Sequence, residues 1–384
     1  MPNNSKHIDT KLVHGSKGFD TVTGAVSFPI YQSATFRHPG LNQTTGYDYS
    51  RLQNPTREEL ENTVAALESG CFGFAFTSGM AAVSTILSLF SPGDHIIVSN
   101  DLYGGTYRLF EEIYKKYGLE FSYIDTCCIE KTVENIRSNT KAVFIETPSN
   151  PMMKVCDIKA TSEAAKSKGI LTIVDNTFLT PYFQRPLELG ADIVVHSGTK
   201  YLGGHNDTLA GFLVVNDEGL SESIKLVQKS AGAVLPPFDS WLILRGIKTL
   251  GVRLEKQQEN AMIISKWLKE NKNIEKVYYI GLCDHEGYEI SKRQASGFGA
   301  MISFTVKDKG MVHRILDSVK VIAFAESLGG VESLITYPIV QTHSAIPESM
   351  REAIGVNERL LRLSVGIEAA EDLIYDLEQA MGIV

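Results

Sequence analysis

Short apolar runs alternate with longer amphipathic segments between about residues 58 and 215. The runs are typical of buried strands, and the segments carry apolar residues at helical spacing. Strands in regular alternation with helices predict an α/β domain built on a large, doubly wound, mostly parallel sheet. The predicted strands are Phe72–Phe76, Ile96–Ser99, Phe121–Ile124, Ala142–Glu146, Leu171–Val174, Ile193–Val195 and Gly211–Val215, and the predicted helices are Glu58–Glu68, Met80–Leu89, Thr106–Tyr117, Glu130–Ser138 and Ala160–Lys168.

The pattern changes at both ends of the chain. Residues 1–52 are rich in Gly, Thr, Ser and Asn and predict an extended N-terminal arm, followed by a large domain over residues 53–245. Beyond it, a long charged helix, two strands and a final helix predict a smaller C-terminal α+β domain over residues 246–384. These elements are expected at Arg253–Glu270, Lys276–Tyr279, Met301–Val306 and Ala370–Met381.

Composition narrows the classes of function. The 384 residues are enough for two cores, and a net charge of −8 argues against binding to nucleic acid. The N-terminus lacks the apolar segment of a signal peptide, and no run reaches the roughly 18 apolar residues that span a bilayer. We therefore expect a cytoplasmic protein with no membrane partner.

Cysteine and histidine positions predict no metal. The five cysteines are odd in number and show no C-x-x-C spacing, which argues against both a disulfide framework and a zinc site. His196 and His205 lie nine residues apart, but no cysteine or carboxylate completes a ligand set around them. We expect these histidines to be structural.

Two reactive side chains follow apolar runs. Asp175 is the last residue of an apolar run that includes Ile173. Lys200 follows the next apolar run and lies 25 residues after Asp175. The carboxyl ends of parallel strands meet at one edge of a sheet, where ligands bind. Pyridoxal 5′-phosphate (PLP) requires a lysine amine, an acid at its pyridine nitrogen and a phosphate cradle. Lys200 and Asp175 match the first two requirements.

A candidate for the cradle lies upstream. Ser78, Gly79 and Met80 follow a predicted strand and open a helix, so backbone N–H groups would face an anion. Ser197 and Thr199 add hydroxyl groups near the lysine. Each feature alone is typical of an ordinary turn or cap, but the ordered combination indicates a PLP site.

These segments resemble the Cys/Met-metabolism branch of fold-type I PLP enzymes, the group of cystathionine γ-synthases, γ-lyases, β-lyases and methionine γ-lyases. The resemblance covers nearly the whole chain and implies the fold-type I PLP-dependent transferase fold. The matching motifs are Lys11–Gly15, Tyr47–Arg51, Asn54–Arg57, Asp101–Thr106, Glu146–Pro151, Ser197–Tyr201 and Leu361–Gly366.

The resemblance implies a role for each matching residue. Lys200 would bond covalently to the cofactor and move protons, Asp175 would pair with the pyridinium nitrogen, and Tyr103 would stack on the ring and act in proton transfer. The implied cofactor contacts are Tyr49, Arg51, Ser78, Gly79, Met80, Tyr103, Asp175, Thr177, Ser197, Thr199 and Lys200.

The resemblance also implies an oligomer. Tyr49 and Arg51 would reach the phosphate from a neighbouring subunit, which gives the extended arm a purpose. A dimer would then be the smallest competent unit, and the family usually pairs dimers into tetramers. We expect a homo-oligomer, a dimer of dimers, that acts on small amino-acid substrates.

The expected substrate contacts point to chemistry at Cγ. Arg362 would hold the α-carboxylate in a bidentate fork, assisted by Asn150 and Ser327. Asp48 and Glu326 would flank the entrance, where acidic residues suit the ammonium group of a second amino acid. Well-studied β-lyases of the family place aromatic residues at these two positions.

The predicted function is therefore γ-elimination or γ-replacement on cystathionine or an O-acylhomoserine, with lyase and synthase left open. Cystathionine β-lyase is the main alternative, because some bacterial β-lyases keep the acidic pair. Methionine γ-lyase is less favoured, since Gly105 stands where those enzymes carry cysteine. An aminotransferase, on fold alone, and a catalytically silent oligomeric scaffold are more distant alternatives.

Overall fold

A mixed seven-stranded sheet forms the centre of the larger part of the molecule. The computed structural model describes residues 6–383, so the first five residues of the predicted arm lie outside it. The strand order is β1-β7-β6-β5-β4-β2-β3, and β7 runs antiparallel to both of its neighbours. The other pairings are parallel, as predicted for most of the sheet. The strands are β1 Phe72–Phe76, β2 His95–Ser99, β3 Glu120–Ile124, β4 Thr140–Glu146, β5 Leu171–Asp175, β6 Ile193–Ser197 and β7 Gly211–Val215.

Helices cover both faces of this sheet. The inner strands are buried on both faces because one apolar cluster packs the sheet against α3 and a second packs it against α2 and α9, whereas the edge strand β3 is more exposed. These helices and the others of this part are α1 Ile8–His14, α2 Pro55–Leu67, α3 Gly79–Leu87, α4 Gly104–Glu112, α5 Ile129–Glu134, α6 Ile158–Lys166, α7 Thr180–Phe183, α8 Glu218–Ala231 and α9 Pro237–Ile247.

Some predicted helices differ from those observed. The helix expected over Thr106–Tyr117 starts earlier and stops at Glu112, and a 3₁₀ turn follows at Tyr114–Tyr117. That turn ends at Gly118, whose φ of +88° closes it in the left-handed conformation. No element was predicted for the stretch that forms α8 and α9. The predicted domain boundary at residue 245 falls inside α9 and stays a prediction.

A five-stranded sheet forms the smaller part of the molecule. Its order is β10-β11-β12-β9-β8, so β12 lies at the centre. The sequence predicted β8 and β9 but not β12, which carries Arg362. The elements are α10 Leu250–Glu270, β8 Ile274–Tyr278, α11 Tyr288–Gln294, β9 Met301–Val306, α12 Lys309–Ser318, β10 Ala323–Phe324, β11 Leu334–Thr336, α13 Glu348–Ile354, β12 Leu360–Ser364 and α14 Ala370–Met381.

Helix α10 joins the two parts. Leu250 and Leu254, near its start, belong to the apolar cluster beside the large sheet. Ile264 and Leu268, near its end, belong to the core of the small sheet. One continuous helix therefore contributes to both cores and fixes the small sheet beside the large one.

The N-terminal arm is mostly extended, although α1 was not expected in it. Leu12 of α1 packs into the core beside the large sheet, whereas Val22 and Leu41 are largely exposed. The arm ends at Asn54, which caps α2 and donates a hydrogen bond to the Tyr31 carbonyl oxygen at 2.9 Å. Within residues 6–383, no helix is long and apolar enough to cross a membrane.

Candidate active site

A cavity of about 340 Å³ opens at the carboxyl ends of the parallel strands, a volume suited to a small molecule. The large sheet contributes residues that follow β1, β4, β5 and β6, and the smaller part closes the cavity from the other side. Most of the predicted site residues meet here. They are Ser78, Gly79, Met80, Tyr103, Asn150, Asp175, Thr177, Ser197, Thr199, Lys200, Glu326, Ser327 and Arg362.

Lys200 lies between the two parts of the molecule. Its Nζ donates a hydrogen bond to Ser327 Oγ at 2.8 Å. Burial, with help from the Arg362 charge, lowers the pKa of Lys200 to about 8, although Glu326 acts in the opposite direction. A substantial fraction of the amine is therefore neutral near pH 7 to 8 and available as a nucleophile.

Asp175 ends β5 and faces the same cavity. Its Oδ1 accepts hydrogen bonds from the Thr177 amide at 3.0 Å and the Thr177 hydroxyl at 2.6 Å. Burial raises the pKa of Asp175, and the two Thr177 donors oppose that shift. A nearby cation stabilises the charged form of a buried carboxyl group, and a pyridinium N–H is such a cation.

Glu146 is a site residue that the sequence reading did not select. It ends β4, directly beside Asp175 in the strand register, and accepts a hydrogen bond from the Tyr103 amide at 2.9 Å. Burial and the Asp175 charge raise the pKa of Glu146 well above its ordinary value. Because Thr177 stabilises the Asp175 carboxylate, we assign the proton of this pair to Glu146. A charged residue at the end of an apolar run was the available signal, as it was for Asp175.

The start of α3 is the predicted anion cradle. Ser78 caps the helix by accepting a hydrogen bond from the Ala81 amide at 3.1 Å. The first turn of a helix leaves backbone N–H groups without intrahelical partners, and these can bind phosphate. A Cβ at Gly79 would lie 3.0 Å from Ser197 Cβ, so glycine keeps the cradle open. This opening, with Lys200 and Asp175 lining the same cavity, fits PLP.

Arg362 is prepared for an anion. It is 1% exposed, and its Nη1 and Nη2 donate to Asn150 Oδ1 at 2.8 Å and to the Ser327 carbonyl oxygen at 3.0 Å. Its Nε has no hydrogen-bond partner among residues 6–383. Burial lowers the pKa of Arg362 to about 10, so the guanidinium remains charged at neutral pH. A buried cation with unused donor capacity suits a substrate carboxylate.

His343 is a second residue that the sequence reading missed. It is fully buried, and its Nε2 lies 2.9 Å from the Asn150 carbonyl oxygen. Its Nδ1 lies 2.8 Å from the hydroxyl of Thr342, which lines the cavity. Burial lowers the pKa of His343 to about 4, so the ring is neutral and donates through Nε2. No periodic pattern marks this loop in the sequence.

Three predicted residues lie outside the cavity of their own chain. Asp48 accepts a hydrogen bond from the Thr44 hydroxyl at 2.8 Å within the arm. Arg51 donates to the Lys229 carbonyl oxygen, and its guanidinium carbon lies 5.6 Å from the centre of the Tyr49 ring. Their expected contacts with the cofactor or substrate, including those through a neighbouring subunit, stay predictions.

The two histidines considered as metal ligands have other partners. His196 Nε2 contacts the buried carboxylate of Glu68, and His205 Nδ1 lies 2.8 Å from the Gly203 carbonyl oxygen. In the part of the chain that the structure describes, no cluster of three or more His, Cys, Asp or Glu side chains could hold a metal ion.

Known proteins match this chain over almost its full length. The family model for "Cys/Met metabolism PLP-dependent enzyme" matches residues 9–382. A cystathionine beta-lyase of Lactococcus lactis subsp. cremoris is 51% identical over 97% of this chain and 98% of its own length. A cystathionine gamma-synthase/O-acetylhomoserine (thiol)-lyase of Bacillus subtilis (strain 168) is 53% identical over 98% and 97% of the two chains.

Solved structures agree with the fold. The crystal structure of cystathionine gamma-lyase from Lactobacillus plantarum, complexed with L-serine, matches with a TM-score of 0.96 and 45% identity. The match covers 98% of this chain and 99% of that one. The fold predicted from the sequence, including its smaller C-terminal part, is therefore confirmed.

Proposed function

The chain belongs to the family of Cys/Met metabolism PLP-dependent enzymes, and from this premise we propose that it breaks or forms the carbon–sulfur bond of cystathionine at Cγ. Its cofactor is PLP, which, when bound, acts as an electron sink that stabilises negative charge on the substrate. Cystathionine γ-lyase and γ-synthase activities are both forms of this chemistry.

The positions of Lys200 and Asp175 support binding of the cofactor. Lys200 would supply the amine that bonds to the cofactor, and Asp175 would keep the ring nitrogen protonated. The start of α3 would hold the phosphate, together with the Ser197 and Thr199 hydroxyls that line the cavity. Tyr103, 39% exposed at the side of the cavity, would cover the ring.

The substrate residues lie on the opposite side. Arg362, oriented by Asn150, holds the α-carboxylate of the amino acid. Lys200 takes the proton from Cα and, because its side chain is long and flexible, moves on to Cβ. Removal of both protons is what elimination at Cγ requires. Tyr103 is placed to deliver a proton to the departing sulfur.

Glu326 is the observation that supports cystathionine as the substrate. It lines the cavity that contains Lys200 and Arg362, and its charge reaches the lysine. Cystathionine carries an ammonium group at each end, so one end remains at the entrance when the other is held at Arg362. A carboxylate at the entrance suits that second ammonium group.

Cleavage at Cβ is the second candidate. The relative that is 51% identical is named cystathionine beta-lyase, and the distal ammonium group is present in that reaction as well. Glu326 therefore supports cystathionine as the substrate but does not distinguish cleavage at Cγ from cleavage at Cβ. The identity of the keto acid released separates the two candidates.

Replacing Glu326 tests this assignment. We expect Glu326→Gln to raise the KM for cystathionine about tenfold, the effect of losing roughly 1.4 kcal/mol, with PLP still bound. Glu358→Gln is the matched control, because Glu358 forms an exposed ion pair with Lys309 at 3.4 Å, outside the cavity. An unchanged KM in Glu326→Gln would show that this carboxylate does not recognise the second ammonium group.

We also propose that the active unit is an oligomer. In one chain, Tyr49 and Arg51 lie in the arm and do not line the cavity. A neighbouring subunit that placed its arm at the cavity would bring a phenol and a guanidinium to the phosphate. A subunit-mixing experiment with Lys200→Ala and Arg51→Ala chains tests this proposal.

A further inference from the structure

Two cysteines that lie far apart in the sequence meet in the structure. Cys127 lies in the turn between β3 and α5, and Cys156 lies 29 residues later, just before α6. Their Sγ atoms are 3.2 Å apart. The neighbouring Cys128 differs, because its thiol contacts Glu130 Oε2 at 3.2 Å.

The surroundings of the pair keep the sulfur atoms together. Cys156 is 1% exposed, and its Sγ also contacts the Thr126 hydroxyl at 3.1 Å. Cys127 is only partly buried, so it is the more accessible residue of the two. Lys154 and Asp125 form an ion pair nearby, at 3.6 Å. Contact with Cys156 and burial raise the pKa of the Cys127 thiol, so the resting pair is held as thiols rather than thiolates.

We propose that Cys127 and Cys156 are a site of oxidative modification. A hydroperoxide oxidises the two thiols, and an intramolecular disulfide forms between them. One sulfur attacks the peroxide, becomes a sulfenic acid and releases water from hydrogen peroxide. The second sulfur then displaces the hydroxyl group as a second water and completes the S–S bond. Two thiols and one hydrogen peroxide thus give one disulfide and two waters. The sulfur atoms need to close from 3.2 Å to about 2.05 Å.

The cysteine pair lies next to the loop from Thr147 to Asn150, which leads into the cavity. The Cys156 amide donates to Thr147 Oγ1 at 3.0 Å, and Thr147 begins the segment that leads to Asn150. On the other side, Gln294 Nε2 donates to the Cys156 carbonyl oxygen at 3.1 Å and links it to α11. The proposed disulfide therefore forms where the loop that carries Asn150 meets the smaller part of the molecule.

Peptide mapping of the PLP-loaded protein tests the proposal. The protein is treated with hydrogen peroxide, alkylated and digested with trypsin, which separates Tyr117–Lys131 from Val155–Lys159. We expect the two peptides to be joined, with the mass of their sum less two hydrogens plus one alkyl group on Cys128, and to separate on addition of dithiothreitol. The cofactor absorbance, recorded before digestion, shows that the protein is still folded around PLP.

Single substitutions assign the bond. Cys128→Ser is the matched control and should keep the cross-link, whereas Cys127→Ser and Cys156→Ser should abolish it. The proposal is overturned if Cys127 and Cys156 are both recovered as separate alkylated thiols under conditions that oxidise the exposed Cys71. A cross-link that disappears only in Cys128→Ser would equally overturn it.

Discussion

At the scale of single residues, two carboxyl groups and one amine define the cavity. Glu146 and Asp175 are paired across β4 and β5, and Thr177 donates only to Asp175. The proton of the pair therefore lies on Glu146, and Asp175 remains able to hold a pyridinium. Lys200, with its pKa lowered to about 8, is ready to act as a nucleophile or base near neutral pH.

The first prediction concerns the guanidinium group of Arg362. Arg362→Lys replaces a planar group, which donates to Asn150 Oδ1 and to the Ser327 carbonyl oxygen, with a single ammonium, so orientation of the α-carboxylate is lost. We expect kcat/KM to fall about a hundredfold, the effect of losing one or two charged hydrogen bonds. Steady-state kinetics with the PLP-loaded variant measures this loss.

Arg359→Lys provides the control for that substitution. Arg359 lies next to β12 and forms a half-exposed ion pair with Glu275 at 2.7 Å, so the exchange should change kcat/KM by less than about twofold. If Arg362→Lys behaves like Arg359→Lys, Arg362 does not bind the carboxylate.

The second prediction concerns His343 and pH. Burial lowers its folded-state pKa to about 4, below the ordinary value of 6.5. The unfolded chain therefore takes up this proton first, so the contribution is present above about pH 6.5 and declines as the pH falls toward 4. Between pH 7 and 5 we expect a loss of about 2 kcal/mol in the free energy of unfolding from this group.

Denaturant titrations at pH 7 and pH 5 measure that loss. His343→Gln should lose less stability over this interval than the unmodified protein does. His313→Gln, which removes an exposed imidazole, should behave like the unmodified protein. An equal loss in His343→Gln would show that His343 does not contribute to the pH dependence.

Sequence reading was effective for residues that follow apolar runs. Asp175 and Lys200 could be selected because the end of a strand and the cofactor's chemical requirements coincide there. Glu146 carried the same signal but has no counterpart among those requirements. His343 carried no signal, because its role depends on a loop that returns to Asn150, and contacts across 193 residues leave no local pattern.

At the scale of elements, the third prediction concerns the start of α3. Ser78 both caps the helix and lines the cavity. We expect Ser78→Ala to cost about 1 kcal/mol of stability through the lost cap and to weaken PLP binding about tenfold. Denaturant unfolding and cofactor titration by absorbance measure the two effects.

Asp217→Ala separates these effects. Asp217 caps α8 through the Leu220 amide at 2.8 Å and lies outside the cavity. It should cost similar stability and leave PLP affinity unchanged. Equal weakening of PLP binding in both variants would mean that the Ser78 hydroxyl is not part of the cradle.

Element types were easier to predict than element directions. The strands of the large sheet were located within one or two residues because each is a short, mostly apolar run bounded by polar or glycine-containing segments. Nothing in such a run encodes direction, so the antiparallel β7 was not foreseen. Its direction follows from the connection after β6, which contains the Lys200 loop and no crossover helix.

At the scale of the whole molecule, the site depends on two sheets meeting. Arg362 comes from the central strand of the small sheet, whereas Asp175 and Lys200 follow strands of the large one. Helix α10 holds the sheets together through both cores. The sequence predicted both parts but not how they pack, because packing depends on contacts between distant segments.

The fourth prediction tests sharing of the arm between subunits. Lys200→Ala and Arg51→Ala are each expected to be nearly inactive alone. If the arm serves a neighbouring subunit, a mixed oligomer contains one kind of site with an intact Lys200 from one chain and an intact Arg51 from the other. Co-expression should therefore restore activity, up to about half that of the unmodified protein per dimer. No recovery in a verified mixed oligomer would place Arg51 in its own chain's site or outside both.

The most direct test of the central claim is the product formed from L-cystathionine. The purified, PLP-loaded protein is given this substrate, and the keto acid and thiol are identified by mass spectrometry. Reaction at Cγ predicts 2-oxobutyrate with cysteine from L-cystathionine. If synthesis is the main activity, a second assay that supplies an O-acylhomoserine and cysteine instead should form cystathionine. Pyruvate with homocysteine as the dominant products would contradict the assignment to Cγ and establish cleavage at Cβ.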